Sequence, residues 1–394
     1  MTLAVAGGLS MVMSCGDNNI QPKPQEEQAK KEVNSQDDFA WQTEQFADLK
    51  IVRYQIPGYD KLSAKQKELT YYLTQAGLAG RDIMYDQNYR HNLEIRSMLE
   101  NIYSNYSGDK AAEEWLNFEV YLKRMWFSNG IHHHYSNNKF IPEFSQDYFK
   151  GLLENVGATC SEEIMEVLFN PEVDAKKVNQ DAELGLVEGS AVNFYAPDVS
   201  TEEAKAYFEC ITTKGERNAV SHGLNSRLAK DADGNVIEEV YKIGGKYGEA
   251  LEKVVFWLKK AETVAENEKQ AAAFRNLIAF YETGDLRKWD TYNINWVNTT
   301  EGDIDYINGF VEVYNDPLGY TGSYETIIQI KDFDASERMK VLMDNAQWFE
   351  TNSPFMDEHK KETVTGILYN VVNVVGEAGD ASPSTPIGVN LPNA

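Results

Sequence analysis

The strongest constraint on this chain is a change in the period of its apolar residues. Over residues 63–283 they recur mostly at helical spacing, whereas from residue 306 they gather into short runs rich in Val, Ile and Tyr. Ser63-Ala-Lys-Gln66 has the form of a capping box, in which hydroxyl and amide side chains satisfy each other's backbone N–H groups. Leu69, Tyr72, Leu73 and Ala76 then follow at helical spacing. The same pattern predicts helices over residues 93–103, 111–127, 145–156 and 161–169, with stops at Asn129-Gly130 and Asn170-Pro171. A second capping box, Ser200-Thr-Glu-Glu203, opens a helix to residue 211. Asp233-Gly234 lies between two apolar flanks and predicts a β-hairpin. Two amphipathic helices are predicted over 247–265 and 269–283. Strands are then predicted over 306–314, 324–330 and 363–375, with a helix over 336–348 between the last two. No fixed-period repeat is visible. The pattern predicts a helix-rich α+β globule with a modest sheet.

The 394 residues are two to three times a typical domain, which predicts two lobes. The 22 Tyr, 17 Phe and 7 Trp can fill a large aromatic core, which excludes wholesale disorder and a disulfide-held miniprotein. Acids outnumber bases 62 to 37, for a formal charge of −25. Such a surface repels phosphate backbones, so nucleic acid is not an expected partner; it favours the approach of cations.

The first 14 residues carry no charged side chain and are too few to span a bilayer as a helix. Small residues precede Cys15, and a polar tract rich in Gln, Lys and Glu follows. This resembles a bacterial lipoprotein signal, with residues 1–14 removed and Cys15 acylated, although the usual basic start is missing. Residues 15–40 then read as a flexible tether. The expected location is the bacterial cell envelope, lipid-anchored or periplasmic, with the cytoplasm as the alternative; the membrane is met only through the lipid. Cys160 and Cys210 permit one disulfide and require none.

Compact catalytic signatures are missing: there is no His-Glu-x-x-His, Gly-x-Ser-x-Gly, P-loop or Gly-x-Gly-x-x-Gly. His132-His133-His134 is the obvious metal candidate, but consecutive side chains diverge, so a polar loop is expected. His359 and Glu362 have a metal-pair spacing between lysines that suggest a solvated helix face. A more informative stretch is Gly309-Phe-Val-Glu-Val-Tyr-Asn-Asp-Pro-Leu-Gly319. In a regular strand Glu312 and Tyr314 share a face with Phe310, while Val311 and Val313 point away. A carboxylate beside a phenol suits the ammonium and carbonyl of a peptide's first residue; an ordinary half-exposed strand is the alternative. The terminal Pro386-Ile-Gly-Val-Asn390-Leu-Pro-Asn393 is extended and proline-stiffened, a form that suits recognition of a peptide main chain or serves as a surface loop.

Taken in order, these stretches resemble the dipeptidyl peptidase III family of zinc exopeptidases, most of all its bacterial lipoprotein-type members. Phe280-Tyr-Glu-Thr-Gly-Asp-Leu286 and Asn138-Lys-Phe-Ile-Pro142 add to the likeness. The resemblance implies that Glu312 binds the substrate's free ammonium and that Tyr314 stabilises the scissile carbonyl. It implies that Asn390 and Asn393 fix the first residue, and that Val311 and Pro386 line the cleft. It also implies a two-lobed fold, of which this chain supplies mainly the lower lobe with a small mixed sheet or barrel (residues 41–331). Residues 332–373 would be a helical excursion to the upper lobe, and 374–394 the return.

The family's zinc motif, a lengthened His-Glu-x-x-x-His type followed by a later Glu, lies downstream of the Asn-x-x-Asn segment. No zinc ligand is therefore expected in this chain, which reads as the substrate-binding half of a dipeptidyl peptidase and is expected to be inactive alone. The alternative is a lipoprotein that captures oligopeptides without cleaving them. Either way the expected partners are short peptides with a free N-terminus.

Overall fold

The computed structural model describes residues 39–212, 219–365 and 370–383. Residues 1–38, with Cys15, and the segment carrying Pro386, Asn390 and Asn393 lie outside them.

The described chain opens with a hairpin that the sequence pattern did not reveal, β1 (Gln42–Phe46) and β2 (Leu49–Val52). Its residues are mostly exposed, so no apolar alternation marks it. Ion pairs from Lys123 to Glu44 and from Arg124 to Asp48 hold it to the body. Helix α1 (Ala64–Asn88) starts at the predicted capping box: Ser63 Oγ accepts from Gln66 N–H, and Gln66 Oε1 accepts from Ser63 N–H at 2.9 Å. The predicted helices follow as α2 (Asn92–Asn105), α3 (Glu113–Phe127), α4 (Gln146–Val156), α5 (Glu162–Phe169) and α6 (Thr201–Ile211), the last with its own capping box. Helices α2 to α5 enclose an aromatic core that includes Trp115, Phe118 and Phe149.

The Asp233-Gly234 hairpin forms as β3 (Ser226–Lys230) and β4 (Val236–Val240). Helices α7 (Gly248–Thr263) and α8 (Glu268–Thr283) come next. An additional helix, α9 (Leu286–Val297), is started by Asp285, whose carboxylate accepts from Arg287 N–H at 2.9 Å. Strands β5 (Ile304–Phe310), β6 (Tyr324–Lys331) and β7 (Val372–Gly379) form a three-stranded antiparallel sheet in the order β5-β6-β7. Between β6 and β7 run α10 (Phe333–Asp344) and α11 (Ala346–Thr351), where one helix over 336–348 was predicted.

The fold class is thus the helix-rich α+β one predicted, but the named strands pair only antiparallel, in separate small sheets rather than a mixed one. Several strand boundaries also differ. β7 starts at Val372 rather than 363, because β6 ends at Lys331, where Asp332 caps α10 and no partner strand continues. Strand β5 ends at Phe310 rather than 314, for a reason that shapes the site below. Cys160 and Cys210 are both free thiols.

The largest core lies between α1, α7, α8 and the inner face of the sheet. Glu266 joins its corners, accepting from Gln66 Nε2 on α1 and from the N–H groups of Asp303 and Ile304 at the entrance to β5. Helix α1 approaches β6 through Gly77 and Gly80. A Cβ at position 77 would overlap Thr326, and one at position 80 would overlap the buried ring of Tyr324. Alanine gains about 1 kcal/mol of helix propensity over glycine, and overpacking a filled interface costs about 1–3 kcal/mol. Gly80→Ala is therefore expected to lower the urea midpoint despite the better helix former; an unchanged or raised midpoint would refute the close approach.

Candidate functional site

The site lies where β5, β6 and β7 end together, at Phe310, Tyr324 and Gly379. Beyond Phe310 the pairing slips by one residue. Val311 N–H donates to Ser323 O at 3.0 Å, and Ser323 N–H donates to Glu312 O at 2.9 Å, so two residues stand opposite one. Such a bulge reverses the in–out alternation. Phe310 stays in the core beside Tyr241, Tyr281 and Tyr324. Val313, predicted to point away from Phe310, packs against the same core, and Val311 also touches the small cluster of Ile307, Ile327 and Ala381. The predicted face shared by Phe310, Glu312 and Tyr314 is therefore broken at the bulge. Glu312 and Tyr314 remain together, among carboxylates that come from other strands.

Those carboxylates are Glu325 on β6 and Asp380 just past β7. Tyr314 donates its hydroxyl to Asp380 Oδ2, and Asn315 Nδ2 donates to Asp380 Oδ1 at 3.0 Å. Burial of the hydroxyl end holds the Tyr314 proton well above the ordinary phenol range, with Asp380, Glu325 and Glu312 adding to the effect. Glu325 is 7% exposed. Burial, then the like charges of Asp380, Glu312 and Glu377, push its carboxyl up to about 8. Lys177 is the buried cation facing Asp380; burial pulls its ammonium pKa down and Asp380 opposes that.

Three further contacts fix the frame. Asp316, buried in the loop after Tyr314, accepts from Tyr195 Oη at 2.8 Å and from the N–H groups of Leu318, Tyr320 and Thr321 at 2.7–3.0 Å. Gln87, near the end of α1, donates to Gly322 O at 3.0 Å and accepts from Tyr324 N–H at 2.8 Å. Asn129, in the left-handed conformation after α3, donates to the carbonyls of Gly379 and Ser382.

Of the residues expected from sequence, the structure brings together Val311, Glu312 and Tyr314; Pro386, Asn390, Asn393 and Cys15 lie outside the described residues. Sequence reasoning missed Glu325, Asp380, Asn315, Lys177 and Asn129. The nearest signal was Asn129-Gly130, read only as a helix stop, although its side chain holds the segment that carries Asp380.

Among the described residues no group of three or more His, Cys, Asp or Glu side chains could hold a metal ion. His132 is buried with Nε2 at 2.8 Å from Asp174 O, and burial takes its pKa down to about 4. His133 and His134 stack on each other. His359 sits in an exposed short turn of helix beside Glu358.

The fold, a helical body around a short antiparallel sheet, is shared with solved structures of dipeptidyl peptidases. The model of "Peptidase family M49" matches residues 177–394, the span that holds the whole sheet. The chain belongs to peptidase family M49, the dipeptidyl peptidase III family. Dipeptidyl peptidase 3 of Dictyostelium discoideum is 21% identical over 363 residues, covering 85% of this chain and 51% of that protein. Its Rattus norvegicus counterpart is 22% identical over 321 residues, 71% of this chain and 42% of that one. The structure of DPP III from Caldithrix abyssi superposes with a TM-score of 0.61 at 20% identity, over 85% of this chain and 53% of that chain. The dipeptidyl-peptidase III of Corallococcus sp. strain EGB gives 0.56 at 15% identity, over 82% and 50%. The likeness to these structures is one of fold, and the chain spans about half the length of the curated relatives it matches.

The raised Glu325 carboxyl has a measurable consequence. Its folded pKa, about 8, lies above the ordinary unfolded value, so the folded state keeps a proton that the unfolded state releases. Its favourable contribution is full below about pH 4 and is lost as pH rises toward about 8, at most about 1.4 kcal/mol per pH unit. Glu325→Gln holds a neutral amide throughout. Its urea midpoint is expected to rise relative to the parent between pH 5 and pH 9, and parallel pH profiles would contradict the raised carboxyl.

Proposed function

We propose that this chain is the peptide-binding half of a zinc-dependent dipeptidyl peptidase, which releases N-terminal dipeptides from oligopeptides. The observation that supports it most is the convergence of Glu312, Glu325 and Asp380 on the Tyr314 phenol within the family-matched span. Glu312 would take the free α-ammonium in a charge-assisted hydrogen bond, strengthened by the poorly solvated sheet end. An ammonium held at a fixed depth places a particular peptide bond at Tyr314, which explains cleavage after two residues. Tyr314 would donate to the scissile carbonyl as charge develops on its oxygen. Val311 would offer apolar lining, and Pro386, Asn390 and Asn393, outside the described residues, would carry the main-chain contacts that the family resemblance implies.

Zinc enters the proposal only for the longer protein. The described residues do not form a fitting site, so none is assigned to it and no step here runs through it. This chain alone is expected to bind peptides and release no dipeptide. In the domain division proposed, residues 41–331 and 374–394 form the lower lobe and residues 332–373 the excursion.

Calorimetry on this chain tests the ammonium site. A pentapeptide with a free N-terminus is expected to bind at least about tenfold more tightly than its N-acetylated form, the worth of one charge-assisted hydrogen bond. Glu312→Gln should erase most of that difference; equal affinities for both peptides would sink the assignment. For the longer protein, release of arylamine from a dipeptidyl arylamide should stop on chelation and return with zinc.

The envelope location is also part of the proposal and rests on the segment before Cys15. Among the described residues no helix is long and apolar enough to cross a membrane. Cells expressing the gene and fed an alkynyl fatty acid are expected to label the protein, and Cys15→Ser should abolish the label. Labelling that persists in the variant would remove Cys15 from this role.

A further inference from the structure

Tyr314 makes a hydrogen bond that runs against its proposed task. A phenol that stabilises a carbonyl must donate its proton to it, and Tyr314 already donates to Asp380 Oδ2. What the oxygen offers elsewhere is its lone pairs. The residue as a whole is 65% exposed, and the contact that directs its hydroxyl is the one to Asp380.

Asp380 is itself firmly placed. Its N–H donates to Tyr324 O at 2.9 Å, continuing the sheet past Gly379, and its second oxygen accepts from Asn315 Nδ2 at 3.0 Å. Asn315 is buried and also donates to Ser323 Oγ at 3.0 Å. Asn129 holds Gly379 and Ser382 on either side. The relay Tyr314–Asp380–Asn315–Ser323 thus crosses the segments after β5, before β6 and after β7. Glu312, Glu325 and Lys177 are titratable groups around it.

We infer that Asp380 is a positioning residue that commits the Tyr314 proton in the ligand-free chain, so that a peptide carbonyl must compete with a carboxylate to receive it. The inference rests on the proposed peptide site. A neutral carbonyl is the weaker acceptor of the two. It gains ground only as negative charge develops on its oxygen, so the hold favours the transition state over the bound ground state. Nothing covalent changes; the hydroxyl exchanges one acceptor for another. Before that exchange, the phenol oxygen accepts from an N–H or ammonium donor.

Asp380→Asn inverts this arrangement. Its Oδ1 must face the donating Asn315 amide, which turns its own NH2 toward Tyr314 and frees the phenolic proton for the cleft. Calorimetry with a free-N-terminus pentapeptide on the parent, Asp380→Asn, Tyr314→Phe and the double variant forms a cycle. Asp380→Asn is expected to shift affinity at least threefold further toward tight binding in the parent background than in the Tyr314→Phe background. The comparison cancels the lost negative charge, which the ammonium feels in both. Equal shifts would overturn the inference.

A ligand-free measurement stands beside it. With 13Cζ-labelled tyrosine, the Tyr314 resonance, assigned by its loss in Tyr314→Phe, should titrate at lower pH in Asp380→Asn than in the parent. Asp380→Ala should do the same where the amide disturbs folding, and an unmoved titration overturns the hold. If the parent binds no peptide, the proposed function fails, and the resonance still decides whether Asp380 holds Tyr314.

Discussion

Helix α1 lays its backbone directly on the Thr326 and Tyr324 side chains of β6 because positions 77 and 80 have no side chain to hold them apart. That approach lets Gln87, two turns further on, reach past the helix end and take the place of a strand neighbour: its amide donates to Gly322 O and accepts from Tyr324 N–H. The start of β6 is therefore fixed by a residue 237 positions earlier in the chain. Ser323, between those two contacts, is the residue that both Val311 and Glu312 face. The bulge, and with it the direction of Glu312 and Tyr314, depends on a helix–sheet distance set by two glycines.

Burial raises the carboxyls of both Asp316 and Glu325, close in sequence to Tyr314 and Tyr324, but their surroundings answer it differently. Asp316 is surrounded by three backbone N–H groups and the Tyr195 hydroxyl, which supply the hydrogen bonds that water would have given. It organises the loop and leaves nothing to offer a ligand. Glu325 faces other acids across the sheet end, and the strain is relieved by keeping its proton. The first arrangement makes a rigid turn; the second leaves a group whose charge depends on what arrives beside it.

Most of the helices were legible because they are amphipathic and several carry side-chain caps that act within three residues, Ser63 with Gln66 and Ser200 with Glu203; α9 was not predicted, and α10 and α11 were read as one helix. The hairpin at Asp233-Gly234 was legible for the same local reason. The β1–β2 hairpin and the start of β7 were not, since the first is mostly exposed and the second begins where a partner strand ends. At the site, Glu312 and Tyr314 could be found because they are two residues apart. Asp380 and Glu325 reach them only through strand pairing, and the bulge that reverses Phe310 against Glu312 leaves no mark in the local sequence. What sequence supplied beyond locality came from family resemblance, which named residues without their surroundings.

The overall charge of −25 is a poor guide to this site, for a physical reason. Charges on solvated helix faces are screened within about 8 Å at physiological ionic strength. Most of the 62 acids therefore contribute to the approach of a cation and little to its capture. Glu325 is different because burial removes the screening along with the water, and the same desolvation keeps its carboxyl protonated up to about pH 8, so it stands beside Glu312 as a neutral hydrogen-bonding neighbour rather than as a second charge. The chemistry of this chain is thus set by how few carboxylates the β5–β6–β7 end excludes from water, and by which of them keep a proton there.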